Sequence, residues 1–134
     1  MKTALLDTNV ILRFVLDEQT KYHGQAVALF ESAEHKEITL LITPEIMAEA
    51  IHVLRSYYEF SHLQISQALE KVILHVGVNL SDEAIMTDAL NSYGRNKLDI
   101  ADCLLAARSR QANYAIASFD KDFRKFKDVQ VIDF

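Results

Sequence analysis

Carboxylates are the side chains through which this chain could do chemistry, and their placement is uneven. Asp7 follows the apolar run Thr3-Ala4-Leu5-Leu6, which reads as a buried strand, and precedes an apolar stretch at residues 10–16 that reads as a helix. An acid at the carboxyl end of the first strand of an α/β chain sits on the rim where such folds place their sites. Glu49 lies on a helix that starts after Thr43-Pro44, a strong helix-opening pair. At 100° per residue Ile46, Ala50, Val53, Leu54 and Tyr57 form the core face of that helix, Glu45, His52, Arg55 and Glu59 point away, and Glu49 falls at the boundary. Asp102 interrupts an otherwise apolar run, Ile100 to Ala107, one turn after Asp99. Asp120 and Asp122 follow the apolar segment at residues 114–118, with the Ser118 hydroxyl two residues before Asp120.

Each acid has an ordinary explanation. Asp7, Asp99 and Asp120 can cap helices, Asp122 suits the positive end of a helix dipole, and Thr8 and Asn9 are turn formers. A carboxylate at Asp102 inside a buried helix costs several kcal/mol unless it is paired or bound to a metal. Arg13, Arg55 and Arg95 are its conceivable partners. Together the acids describe one acidic pocket above a parallel sheet. Carboxylates so gathered repel one another and raise their own pKa values, an arrangement that a hard divalent cation relieves. Magnesium or manganese held this way lowers the pKa of a bound water, aligns it with a phosphate and stabilises the leaving oxygen.

Other chemistries find little support. There is no G-x-S-x-G, and the lone Cys103 sits inside the predicted buried helix. His23, His35, His52, His62 and His75 are too scattered for a zinc site, and no glycine loop cradles a nucleotide phosphate.

The elements that must position these groups alternate. Strands are expected at residues 3–6, 38–42, 76–80, 114–118 and 129–132. Helices are expected from 10 to 16, 22 to 33, 44 to about 58, 62 to about 75, 82 to 93 and 99 to 111, with a helical turn at 120–126. Asp17-Glu18-Gln19-Thr20 is a polar break, Ser61 and Ser81 are caps, and Gly94 is a helix stop. Strands separated by helices predict an α/β fold: a parallel sheet with helices on both faces.

At 134 residues the chain is expected to be one domain, and half of its residues are apolar, enough for a sizeable core. One cysteine, no apolar run of signal or membrane length and a plain start imply a cytoplasmic protein with no membrane attachment. The net charge of −5 disfavours a broad basic nucleic-acid surface. Residues 1–94 carry 6 basic and 13 acidic side chains, for −7, and residues 95–134 carry 8 and 6, for +2. The basic group Arg95, Lys97, Arg108, Arg110, Lys121, Arg124, Lys125 and Lys127 is a candidate contact surface.

Four segments in order resemble the PIN-domain family. They are Leu5-Leu6-Asp7-Thr8-Asn9-Val10, Ile42-Thr43-Pro44-Glu45-Ile46-Met47-Ala48-Glu49, Asp99-Ile100-Ala101-Asp102-Cys103-Leu104-Leu105-Ala106, and Ser118-Phe119-Asp120-Lys121-Asp122-Phe123. The resemblance spans residues 1–134 and is nearest to the VapC-type toxins of toxin–antitoxin pairs. It implies a central five-stranded parallel sheet and a Mg²⁺- or Mn²⁺-dependent endoribonuclease acting on RNA. It also implies a homodimer and inhibition by a small antitoxin protein. Carried over by position, Asp7, Glu49, Asp102 and Asp120 would be catalytic and metal-binding, with Asn9, Asp99, Ser118 and Asp122 supporting them. Competing expectations are a housekeeping PIN nuclease in RNA processing and a non-catalytic PIN-fold binding module. A haloacid-dehalogenase-type phosphatase would need an acid or threonine where Asn9 stands. A receiver domain would need its acceptor aspartate at the third strand, where Val78-Asn79-Leu80 lies.

Overall fold

The computed structural model describes every residue except Met1, Asp17 and Gln19, so the polar break expected at 17–20 lies partly outside the described residues. Strand β1 (Lys2–Leu5) leads into helix α1 (Thr8–Val15), and α2 (Lys21–Glu34) returns to β2 (Ile38–Ile42). Helices α3 (Pro44–Ser56) and α4 (His62–Ile73) precede β3 (Val78–Leu80). Helices α5 (Glu83–Arg95) and α6 (Ile100–Ala112) follow, then a 3₁₀ turn (Lys121–Lys125). The three strands form a parallel sheet in the order β1-β2-β3, with Leu5 beside Leu41 and Leu41 beside Asn79. Leu6 extends the first pairing by donating its N–H to the Leu41 carbonyl at 2.9 Å.

Local chemistry explains most of these boundaries. Thr20 caps α2 by accepting from the His23 N–H, and Ser61 and Gln64 form a reciprocal capping box at the start of α4. Gly77 adopts φ +89° just before β3, and a side chain there would collide with the Ala33 carbonyl at the end of α2. That bend shortens the strand expected at 76–80 to its last three residues. Ser81 does not cap α5, whose N-cap position is taken by Asp82 in the left-handed region.

Alternation along the strands separates two sheet faces. Leu40 and Ile42 are fully buried on one face, and Ala4, Val78 and Leu80 pack into the same core. The opposite face is partly open: Leu5 is 70% exposed, and Thr3 and Asn79 are also exposed. Helices were expected to cover both faces. Helices α5 and α6 pack on one another, α5 also on α4 and β3 and α6 on α3, while Thr3, Leu5 and Asn79 stay exposed. Gly94, expected to end α5, lies inside it. A Cβ at Gly94 would stand 2.6 Å from the Ser66 Oγ, so its missing side chain permits the close approach of α4 and α5.

The sheet has three strands among the described residues, where five were expected. The segments at 114–118 and 129–132 meet in a single parallel bridge, Ile116 with Val131. Two hydrogen bonds hold it, Ile116 N–H to the Gln130 carbonyl at 2.8 Å and Ile132 N–H to the Ile116 carbonyl at 2.9 Å. The physical reason lies at the end of α6. The Tyr114 N–H donates to the Ser109 carbonyl and the Tyr114 carbonyl accepts from the Ser109 hydroxyl, so the first residue of the expected strand is committed to the helix terminus. Of the remainder only Ile116 is buried, while Ala115 and Ala117 are exposed and alanine is a poor strand former.

Two helix faces also differ from expectation. The buried positions of α3 are Met47, Ala50, Ile51 and Leu54, and Tyr57, at the C-cap, is exposed. Helix α6 buries Ile100, Cys103, Ala106 and Ala107, but Ala101 and Leu105 face outward, so it is half-buried rather than enclosed.

Candidate acidic site

The first group of site residues gathers where β1 ends. Asp7 occupies the N-cap position of α1, and its carbonyl accepts from the Val10 and Ile11 N–H groups. Its carboxylate makes no capping hydrogen bond and is exposed, so the cap is a backbone affair. Thr8 is 5% exposed, and its hydroxyl donates to Glu49 Oε2 at 3.0 Å. A buried hydroxyl needs such a partner, and this one ties the carboxylate of α3 to the end of β1. Thr8 was read from the sequence as a turn former. Nothing in its local pattern distinguishes a turn threonine from one that anchors a glutamate 41 residues away. Asn9 is exposed and lines a groove between α1 and α2 with Val10, Arg13, Tyr22 and Leu29; among the described residues its side chain bonds to neither acid.

The second group gathers around the start of α6. Asp99 holds the N-cap position without a side-chain capping bond, and Asp102 lies in the first turn, half-buried. Asp120 begins the 3₁₀ turn and is held twice. Its N–H donates to Ser118 Oγ at 3.0 Å, and its Oδ1 accepts from the Asp122 N–H at 2.9 Å. Asp122 Oδ1 in turn pairs with Lys125 Nζ at 2.8 Å. The cap reading of Asp120 therefore holds, and the cap also fixes where its free oxygen can lie.

Asp102 is the carboxyl most affected by this company. Burial raises its pKa, and the negative charges of Asp99, Asp120 and Asp122 raise it further. No ion pair among the described residues involves Asp102, so none of Arg13, Arg55 and Arg95 neutralises it. Cys103, adjacent in sequence, is fully buried, and burial followed by the Asp102 charge pushes its thiol up to about 12. At neutral pH it stays protonated, and thiolate catalysis is ruled out.

The family model of the PIN domain matches residues 4–129, nearly the whole chain. The chain belongs to the PIN domain family. Among solved structures it is similar to VapBC2 from Rickettsia felis bound to a DNA fragment from the promoter, with 15% identity, 98% of each chain covered and a TM-score of 0.37. No curated protein matches the chain in sequence. No helix among the described residues is long and apolar enough to cross a membrane.

In this PIN domain the donor set is made wholly of carboxylate oxygens, the ligands that Mg²⁺ and Mn²⁺ take. The repulsion raising the Asp102 pKa is of the kind a bound cation would relieve. In chemistry these groups fit a hard divalent cation. In arrangement, Glu49 is tied to Thr8 beside Asp7, Asp102 is under the charge of Asp99, Asp120 and Asp122, and among the described residues no three acids, histidines or cysteines are gathered into a ready cage. Mg²⁺ keeps several waters and is bound through one or two carboxylates, so its chemistry does not require such a cage.

Proposed function

We propose that this PIN domain is a Mg²⁺- or Mn²⁺-dependent endoribonuclease, the toxin of a VapBC-type toxin–antitoxin pair. The observation that carries the reading is Asp102: a half-buried carboxylate without a cationic partner, pressed by Asp99, Asp120 and Asp122, in a chain of this family. A carboxylate left in that condition costs stability, and a cationic ligand gives it a use. Asp7, Glu49, Asp102 and Asp120 would hold the metal. A divalent cation in such a set supplies a water of lowered pKa and neutralises charge on the transferred phosphate.

The protein's own groups do the positioning. The Thr8 hydroxyl orients the Glu49 carboxylate, leaving Glu49 Oε1 as the free oxygen. Ser118 and the Asp122 N–H orient Asp120. Asn9 stands one residue from the Thr8–Glu49 bond, and Asp99 adds negative charge beside Asp102. The toxin assignment rests on the four ordered segments that resemble VapC-type chains. With it come a cytoplasmic setting, a small antitoxin partner encoded beside this chain, and a homodimer.

Cleavage of a labelled RNA by the purified protein tests the reading. Activity is expected with Mg²⁺ or Mn²⁺, to disappear with EDTA, and to fall at least about a hundredfold in Asp102→Asn and Asp7→Asn. Circular dichroism should report both variants as folded. Undiminished cleavage by folded Asp102→Asn would overturn the assignment.

A further inference from the structure

Phe119 and Phe134 are among the most exposed large apolar side chains of the described residues, at 85% and 78%, and they lie together, ring centroids 4.5 Å apart at 37°. Scattered surface apolar residues are unremarkable, but these two are held in place by polar contacts on either side. Phe119 is the middle residue of the turn closed by the Asp120 N–H to Ser118 Oγ bond. Phe134 follows Asp133, which pairs with Arg124 of the 3₁₀ turn at 3.2 Å. One ring is thus next to the acidic site along the backbone, and the other follows a residue joined to the 3₁₀ turn by an exposed ion pair.

We infer that Phe119 and Phe134 form a stacking platform for an unpaired base of an RNA strand whose backbone enters the acidic site. The inference rests on the ribonuclease reading and adds to it the part of the substrate that is gripped. Phe119 is the immediate neighbour of Asp120, which itself lies within electrostatic reach of Asp102. A base stacked on Phe119 therefore brings its phosphate towards these acids. The same stretch presents Lys121 and Lys127, with Arg124 and Lys125 paired to Asp133 and Asp122 between them, cationic side chains that flanking phosphates can engage. Aromatic faces beside a basic track are how single strands are held without a sequence code, because every base offers a π face.

The test uses a short single-stranded RNA carrying 2-aminopurine, whose fluorescence is quenched on stacking, titrated with the full chain in EDTA so that no cleavage occurs. The wild-type protein is expected to quench it. Phe119→Ala and Phe119→Leu should each weaken binding roughly ten- to a hundredfold, while Phe119→Tyr, which keeps the π face, should bind as wild type does. With metal present, Phe119→Ala should raise KM and change kcat little. Equal affinity in Phe119→Ala, or affinity retained by Phe119→Leu, would overturn the platform. So would a loss of self-association in sedimentation with RNA affinity unchanged, which would make the rings a protein contact. If the wild-type protein cleaves and binds RNA but Phe119→Ala matches it, stacking alone fails. If the wild-type protein does neither, the ribonuclease reading fails and the platform with it.

Discussion

The two ends of this molecule are built by different physics. From Lys2 to Leu80 a parallel ladder sets the frame, and the helices bury Leu40, Ile42, Ile51, Leu54 and Leu69 against it. Helices α5 and α6 share that core through Met86, Ala89, Leu90, Tyr93, Cys103, Ala106 and Ala107, and beyond Ala112 the described chain contributes a 3₁₀ turn and a bridge of one residue pair, held largely by side-chain clamps. Arg110 is the chief clamp. Its Nε and Nη2 donate to both oxygens of Asp88 on α5, at 3.0 and 2.8 Å. Its Nη1 donates to the Lys127 carbonyl at 3.2 Å, and its guanidinium lies 6.0 Å from the Phe126 ring centre. A ladder spreads its stabilisation over many interchangeable contacts, whereas a clamp concentrates it in one planar fork. The first region should therefore fail globally and the second locally.

That difference can be put to the test, beginning with the largest effect. Leu54 is fully buried in the first region, and Leu54→Ala should lower stability by about 2–5 kcal/mol, read as a fall in denaturant midpoint with an unchanged slope. Arg110→Ala should cost less, about 1–2 kcal/mol, since both partners of the pair are only partly buried. Its signature should be local: faster hydrogen exchange at the Ile116 and Ile132 amides, which close the bridge, with the β2 amides still protected. Equal loss of protection in β2 would erase the distinction between the regions.

The smallest effect concerns the acidic site itself. Asp102 holds its proton more tightly folded than unfolded, because burial and then Asp99, Asp120 and Asp122 raise its pKa. For a group raised in this way the favourable contribution is complete below the unfolded carboxylate range and is lost as pH rises through the folded value. At neutral pH the ionised form therefore opposes folding. In EDTA, Asp102→Asn should melt about 1–3 °C above the wild type at pH 7, with the gain vanishing in acid. An advantage over the wild type no larger at pH 7 than at pH 4 would remove the argument that this carboxyl is under strain from its neighbours.

How far the sequence foretold the molecule follows the same division. Strand β2, the Ser61 cap and the Pro44 helix start were legible because each depends on a few adjacent residues. The strand expected at 114–118 has a strand-like pattern, but Ser109 claims both backbone groups of Tyr114, and no local pattern reveals that claim. Gly94 was read as a stop because a helix C-terminus and a tight helix crossing both favour glycine. Only the position of Ser66 tells them apart. At the candidate site, the acids could be named one by one from their places after strands and on helices. That Thr8 would hold Glu49, and that Asp102 would lie under the charge of Asp120, depends on how α3 and α6 pack, which lies beyond any one stretch of sequence.

Cys103 is buried to 0% within α6 and is the chain's one thiol. An alkylating reagent can reach it only when the core around α6 opens, so each labelled molecule records one such opening. The protein thus carries its own clock for excursions of its C-terminal third, placed one residue from the carboxylate on which the proposed chemistry depends.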